Sequence, residues 1–212
     1  MVRVKIALIV LGVVLVFFGI REWQLKTVAK ETPQRISAAE LEAKGPGDNA
    51  NIVLTDFLLC EQGYIYEYKK KRIGGDETWT KVWVPIVPLG GAYHTQVLSM
   101  LGPNGEIRGE LPRPQNIKIL VKSTKARSES DIAAMGAADT LEGLVINKIE
   151  SLGSDEKQKL AESYPGIDFS QCYIIEAGRK PMGIPQVLGL MGGGGALALV
   201  GLAWVAAGRQ SS

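Results

Sequence analysis

Apolar and polar positions alternate along this chain in three regimes. Residues 6–20 form an unbroken apolar run, closed by Arg21 and Glu22. Residues 182–208 hold no charged side chain at all. The roughly 21 residues at 187–207 make a helix of about 31 Å, enough to cross a bilayer core of about 30 Å. The first run gives only about 22 Å, but Lys5 and Arg21 can extend toward the interface and Trp23 suits it. Two spanning helices are expected, near 5–22 and 187–208, with both termini on one side. No small-x-small cleavage site follows the first run, so it reads as an uncleaved anchor.

Between them the pattern is that of an α+β fold: a β-rich soluble domain with a few short helices, flanked by the two transmembrane helices. Residues 23–36 read as a polar linker, 37–181 as the domain, 182–208 as the second helix and 209–212 as a tail. Ser37 and Glu40 form a capping box, so a short helix follows and ends at Gly45-Pro46-Gly47. Residues 51–60 read as one largely buried strand. Residues 64–71 alternate strictly, with Tyr64, Tyr66 and Tyr68 on one face. Lys69, Lys70, Lys71 and Arg72 carry that strand into solvent, and Gly74-Gly75-Asp76 turns it. Residues 79–84 return as the second arm of a hairpin, with Trp79 and Trp83 on one face; Pro85 and Pro88 mark it as an edge. Residues 89–116 read as loop. Strands follow at 117–122, 141–147 and 171–176, with helices at 128–135 and from Ser154 to Pro165.

Composition narrows the function. The chain has 212 residues and a net charge of +2. Arg3, Lys5 and Arg209 lie outside the middle region, which is therefore close to neutral and argues against a nucleic-acid partner. Two cysteines, Cys60 and Cys172, and one histidine, His94, exclude a zinc finger or RING. The cysteines read as small buried hydrophobes or as a disulfide pair. There is no Gly-x-Ser-x-Gly stretch and no phosphate loop. Asp139, Glu142, Asp155 and Glu156 show no pairing that marks a general acid and base. No catalytic residue, cofactor or metal is implied.

Two stretches can bind. Tyr64, Tyr66, Tyr68, Trp79 and Trp83, with the basic Lys69, Lys70, Lys71 and Arg72, offer an aromatic face beside a cationic tip for lipid head groups or an acidic partner. In the membrane segments, Gly189 and Gly193 are spaced for close helix approach, and Gly12 and Gly19 ease it from the other side. Basic residues flanking the domain favour a cytoplasmic domain; the signal-like start with its short basic tail favours the opposite side. The first segment normally sets orientation, which leans the reading to an extracytoplasmic domain.

The order Cys60, Tyr64, Tyr66, Tyr68, Trp79, with strands on both sides and a membrane segment at each end, resembles the GIDE-type domain of mitochondrial ubiquitin ligases and bacterial relatives. The ligases of that family carry a C-terminal RING, for which this chain has no ligands, so ligase activity does not carry over. The two-anchor layout is also similar to that of assembly factors of respiratory oxidases. Together these features imply a membrane-anchored, non-enzymatic scaffold or assembly factor. Its partners would be membrane lipids and another membrane protein. The alternative is a lipid- or small-ligand-binding module that uses the aromatic hairpin.

Overall fold

Two compact units make up the chain: residues 1–29 with 181–212, and residues 30–180. The computed structural model describes residues 2–69, 78–104 and 106–209. It is mixed α/β, with six helices and an eight-stranded sheet among the described residues.

The first unit is a pair of helices, α1 (Val2–Lys26, 25 residues) and α6 (Ile184–Arg209, 26 residues). Both are long and apolar enough, by length and composition, to cross a membrane. They pack antiparallel, since Gly12 meets Gly194 and Ala198, Gly19 meets Leu190 and Met191, and Gly201 meets Ile9 and Lys5. A Cβ on Gly12 would lie 2.5 Å from the Gly194 carbonyl oxygen; one on Gly194 would lie 2.7 Å from that of Gly12. Neither helix can bear a side chain there. Lys5 closes the seam by donating from Nζ to the Trp204 carbonyl at 2.8 Å, with its ammonium 5.6 Å from the indole centroid. The contact face of α6 is therefore Gly194 and Gly201. Gly189 and Gly193, the pair expected from their spacing, face open space. A run of four glycines puts small residues on several faces, and only the partner's shape selects one.

The second unit is built on a sheet in the order β1-β2-β7-β8-β6-β5-β3, with β4 also on β5. Its strands are β1 (Gln34–Ser37), β2 (Asn51–Thr55), β3 (Phe57–Leu59), β4 (Ile65–Lys69), β5 (Thr78–Pro88), β6 (Ile119–Ser123), β7 (Leu141–Val145) and β8 (Tyr173–Ala177). The helices are α2 (Ala38–Lys44), α3 (Ala92–Ser99), α4 (Glu129–Gly136) and α5 (Ser154–Ser163). Every position of β6, and residues 82–87 of β5, are buried. Consecutive buried residues mean that both sheet faces are covered there. Lys122 lies in that run. Its ammonium reaches Glu150 Oε1 at 2.5 Å, which keeps the buried charge paired.

Four differences from the sequence pattern have local causes. Residues 51–60 form two strands, because Asp56 adopts φ +53° and turns β3 away from β2. The segment before Ser37 is no free linker, since Gln34–Ser37 is an edge strand parallel to β2. Carboxamides anchor the approach to it. Asn49 donates to the Thr32 carbonyl and accepts from the Lys30 amide, while Asn51 donates to the carbonyls of Lys30 and Glu31. Residues 89–116 contain a helix, α3, which follows the turn at Gly90 and Gly91. The strand expected to stop at Val84 runs on to Pro88 and has neighbours on both sides.

Of the capping box expected at Ser37, one half is present: Ser37 Oγ accepts from the Glu40 amide at 3.2 Å and caps α2, while the Glu40 carboxylate meets Lys44 Nζ at 3.5 Å. Ser128 caps α4 in a box with Asp131, whose carboxylate accepts from the amides of Arg127 (2.7 Å) and Ser128 (3.1 Å).

Two outcomes follow. Gly194→Leu should cost the helix pair about 1–3 kcal/mol of packing, whereas Gly193→Leu should cost little. The readout is cross-linking between cysteines at positions 5 and 204, in a chain lacking Cys60 and Cys172. Equal loss of cross-linking in both variants contradicts the Gly194 seam. The second concerns acid. Hydrogen bonds from the Arg127 amide and then Ser128 hold the Asp131 carboxyl below the ordinary aspartate range. Its folded value is depressed, so the cap stabilises above the unfolded value of about 3.9 and fades as pH falls through the folded value. The Tm gap between wild type and Asp131→Ala should narrow on acidification; a gap independent of pH contradicts the assignment.

Candidate functional site

The aromatic arm is an antiparallel ladder of β4 and β5 that pairs Ile65 with Trp83, Tyr66 with Val82 and Glu67 with Lys81. The register then slips, and Tyr68 pairs with Trp79. Thr80 is the extra residue of this bulge, and its hydroxyl donates to the Glu67 carbonyl at 3.2 Å. An extra residue reverses the alternation beyond it. Trp79 therefore joins the tyrosine face, and Trp83 lies on the other. This corrects the expectation that the two tryptophans share a face.

The ring geometry agrees with this division. Tyr66 stacks on Trp79 with centroids 4.4 Å apart and planes at 21°. Tyr64 lies 5.6 Å from Trp79, and each neighbouring tyrosine pair is separated by 6.1 Å. Four rings thus form one continuous platform, with Tyr68 about half exposed at its outer end. At the inner end the Tyr64 hydroxyl donates to Glu129 Oε1 at 2.7 Å, which ties the platform to the first turn of α4. Burial, then that hydrogen bond and the Glu129 charge, push the Tyr64 hydroxyl up to about 12. It remains a protonated donor at neutral pH.

Trp83 is buried on the opposite face. Lys81 lies 5.6 Å from its ring centroid and 3.1 Å from Glu67. Ile65, Glu67 and Trp83 line a cavity of 330 Å³ with Ser154, Asp155 and Lys159 at the start of α5. Lys69 is exposed at the end of β4. Lys70, Lys71, Arg72 and the Gly74-Gly75-Asp76 turn lie outside the described residues.

The other candidate groups are dispersed. His94 lies on α3, where its Nδ1 accepts from the Gly90 amide at 3.0 Å. Cys60 and Cys172 are free and buried. Burial pushes both thiols up to about 12, which keeps them protonated and poor nucleophiles. Asp139, Glu142 and Asp155 are exposed on separate elements. Among the described residues no group of three or more His, Cys, Asp and Glu could hold a metal ion.

Sequence reasoning missed Thr80 and Glu129. A bulge leaves no mark in a pattern of alternation, and Glu129 is one of two acids in the first turn of α4. What the arm offers is a continuous, partly apolar surface of mutually tilted rings, beside an edge strand that pairs with β5 alone among the described residues. Such a surface suits recognition by stacking and strand contacts. The chain matches no family model, no curated protein and no solved structure.

Proposed function

We propose that this is a two-pass membrane protein whose domain acts without chemistry of its own, as a scaffold or assembly factor that holds another membrane protein. The aromatic arm is the observation that carries the reading. Aromatic side chains with a polar handle are favoured at protein interfaces, because they bury large area at small entropic cost. Tyr66 and Trp79 are already stacked, so little ordering is left for a partner to impose. Among the described residues β4 pairs on one side only, and its other edge offers backbone groups that an extended segment can meet.

Membrane insertion has its own support. The most apolar stretches of α1 and α6 are long enough to span a bilayer, yet only 11% of each is buried. A core helix of similar composition would be mostly covered. The glycines let the helices pack closely, and many bulky side chains, Val10, Phe17, Leu199 and Trp204 among them, stay exposed, as a lipid environment favours. The resemblance of the region from Cys60 to Trp79 to a domain held between two membrane segments points the same way. We place both termini in the cytoplasm and the domain outside it, since the first segment generally dominates orientation.

Tags at the two termini of the chain in sealed inside-out vesicles test the topology. Both tags should be digested by added protease while the domain is protected. Protection of one tag alone contradicts two spans, and digestion of the domain with protection of both tags places it on the cytoplasmic side. A photo-reactive residue at position 68 tests the interaction reading, with one at the exposed Gln158 of α5 as control. Illumination of native membranes should give a discrete adduct to an integral membrane protein from position 68 and none from position 158. Adducts to lipid alone would favour the lipid-binding alternative and sink the scaffold reading.

A further inference from the structure

The backbone of β4 is matched on one side only. The Glu67 carbonyl is turned toward β5, since it accepts from the Thr80 hydroxyl. On β5 the Pro85 carbonyl accepts from the Cys60 amide, so Pro85, and with it Trp83 and Lys81, face the same edge. The N–H and C=O of one residue point to the same side of a strand, and successive residues alternate. Ile65 and Glu67 therefore turn their backbone groups to β5, and those of Tyr66 and Tyr68 point to the outer edge. No other strand meets that edge among the described residues. Two residues of the aromatic platform thus also carry the unmatched donors and acceptors.

The side chains that alternate with these residues select what fits the edge. Glu67 and Lys69 lie on the other face of β4. The Glu67 carboxylate is 41% exposed and 3.1 Å from Lys81. A carboxylate accepts several hydrogen bonds, so this pair leaves it capacity for another donor. Lys69 is exposed. A lysine on an exposed edge discourages a new strand unless that strand sets a carboxylate opposite it. The order Glu67-Tyr68-Lys69 holds both halves of the requirement. Laid antiparallel on itself about Tyr68, it sets Glu67 opposite Lys69 and Lys69 opposite Glu67.

Three registers join outward-facing residues of two such edges: Tyr66 with Tyr66, Tyr66 with Tyr68, and Tyr68 with Tyr68. The first sets the Glu67 charge against Ile65, which is buried, and brings the new strand in beside Tyr64, already held by Glu129 of α4. The second sets Glu67 directly against Glu67, a like-charge pair. The third makes two opposite-charge pairs. It also lies at the outer end of the arm, where Tyr68 is about half exposed. There the two tyrosine faces become one across a two-fold axis, as a self-complementary contact requires.

We propose that β4 pairs antiparallel with β4 of a second copy of this chain, centred on Tyr68, with Glu67 of each copy against Lys69 of the other. The proposal rests on the reading of the aromatic arm as a protein-binding surface, and it names the membrane protein held there. Two copies anchored in one bilayer meet at a raised local concentration, so a short contact suffices.

Full-length chains with two different tags, co-expressed and captured through one tag from solubilised membranes, test it. Wild-type chains should co-purify. Glu67→Lys with itself, and Lys69→Glu with itself, should each co-purify at least about fivefold less, because two opposite-charge pairs become two like-charge pairs. Glu67→Lys co-expressed with Lys69→Glu should recover, since each copy then meets the opposite charge. A chain carrying both substitutions should recover with itself. Neither recovery can come from the contact between Glu67 and Lys81, which Glu67→Lys removes in both. No co-purification of wild type, no loss in the single variants, or no recovery in either combination overturns the proposal. The photo-reactive residue at position 68 separates this proposal from the reading it rests on. An adduct of two copies of the chain supports both. An adduct to a different membrane protein alone overturns the second copy and leaves the scaffold reading standing, and no protein adduct overturns both.

Discussion

Hydrogen bonding around β5 governs the arrangement of the domain. A strand with neighbours on both sides must satisfy two rows of backbone groups, and Pro85 in its middle has no N–H to offer. The Pro85 carbonyl accepts from the Cys60 amide at 2.9 Å, so this residue's groups face the β3 and β4 edge rather than β6. The missing donor therefore falls where β3 has ended and β4 has not begun. The ladder to β6 loses nothing, and Val84, Pro85 and Ile86 keep their partners Val121, Leu120 and Ile119. One proline thus fixes where the edge is broken. The break leaves room for the segment 60–64, from which Tyr64 leads into the aromatic platform.

Side-chain amides do much of the joining that regular ladders cannot. Asn49 and Asn51 bind the backbone of residues 30–32, and the Gln34 side chain reaches the carbonyls of Pro46 and Asn49. Asn147 extends the pairing of β7 and β8 by donating to the Cys172 carbonyl and accepting from the Ile174 amide. Each amide supplies a donor and an acceptor, as a peptide group does, and so continues a sheet past the point where its strand leaves. The Tyr164 hydroxyl does likewise for the Gln62 carbonyl beside Gly63.

Sequence and structure agree where a local rule has a single solution. Strict alternation at 64–68 gave the hairpin arm, Ser37 gave a capped helix, and two long apolar runs gave two long helices. Agreement ends where the outcome depends on distant partners. Asp56 breaks a strand that apolar continuity alone joins, because β3 has its partner on β5 and not on β7. The bulge at Thr80 depends on how two strands settle against each other. The helix α3 lies between Gly-rich and Pro-rich stretches that hide its short pattern. Gly189 and Gly193 fit a spacing rule yet face open space, whereas the close approach is made by Gly194 against Gly12.

The glycines of the seam recur at seven residues on both helices, Gly12 with Gly19 and Gly194 with Gly201. Yet only Gly12 meets a glycine of the other helix, Gly194, while Gly19 receives Leu190 and Met191, and Gly201 receives Ile9. The two backbones therefore touch most closely at one point, and on either side of it a side chain of one helix fills the notch that a glycine leaves in the other.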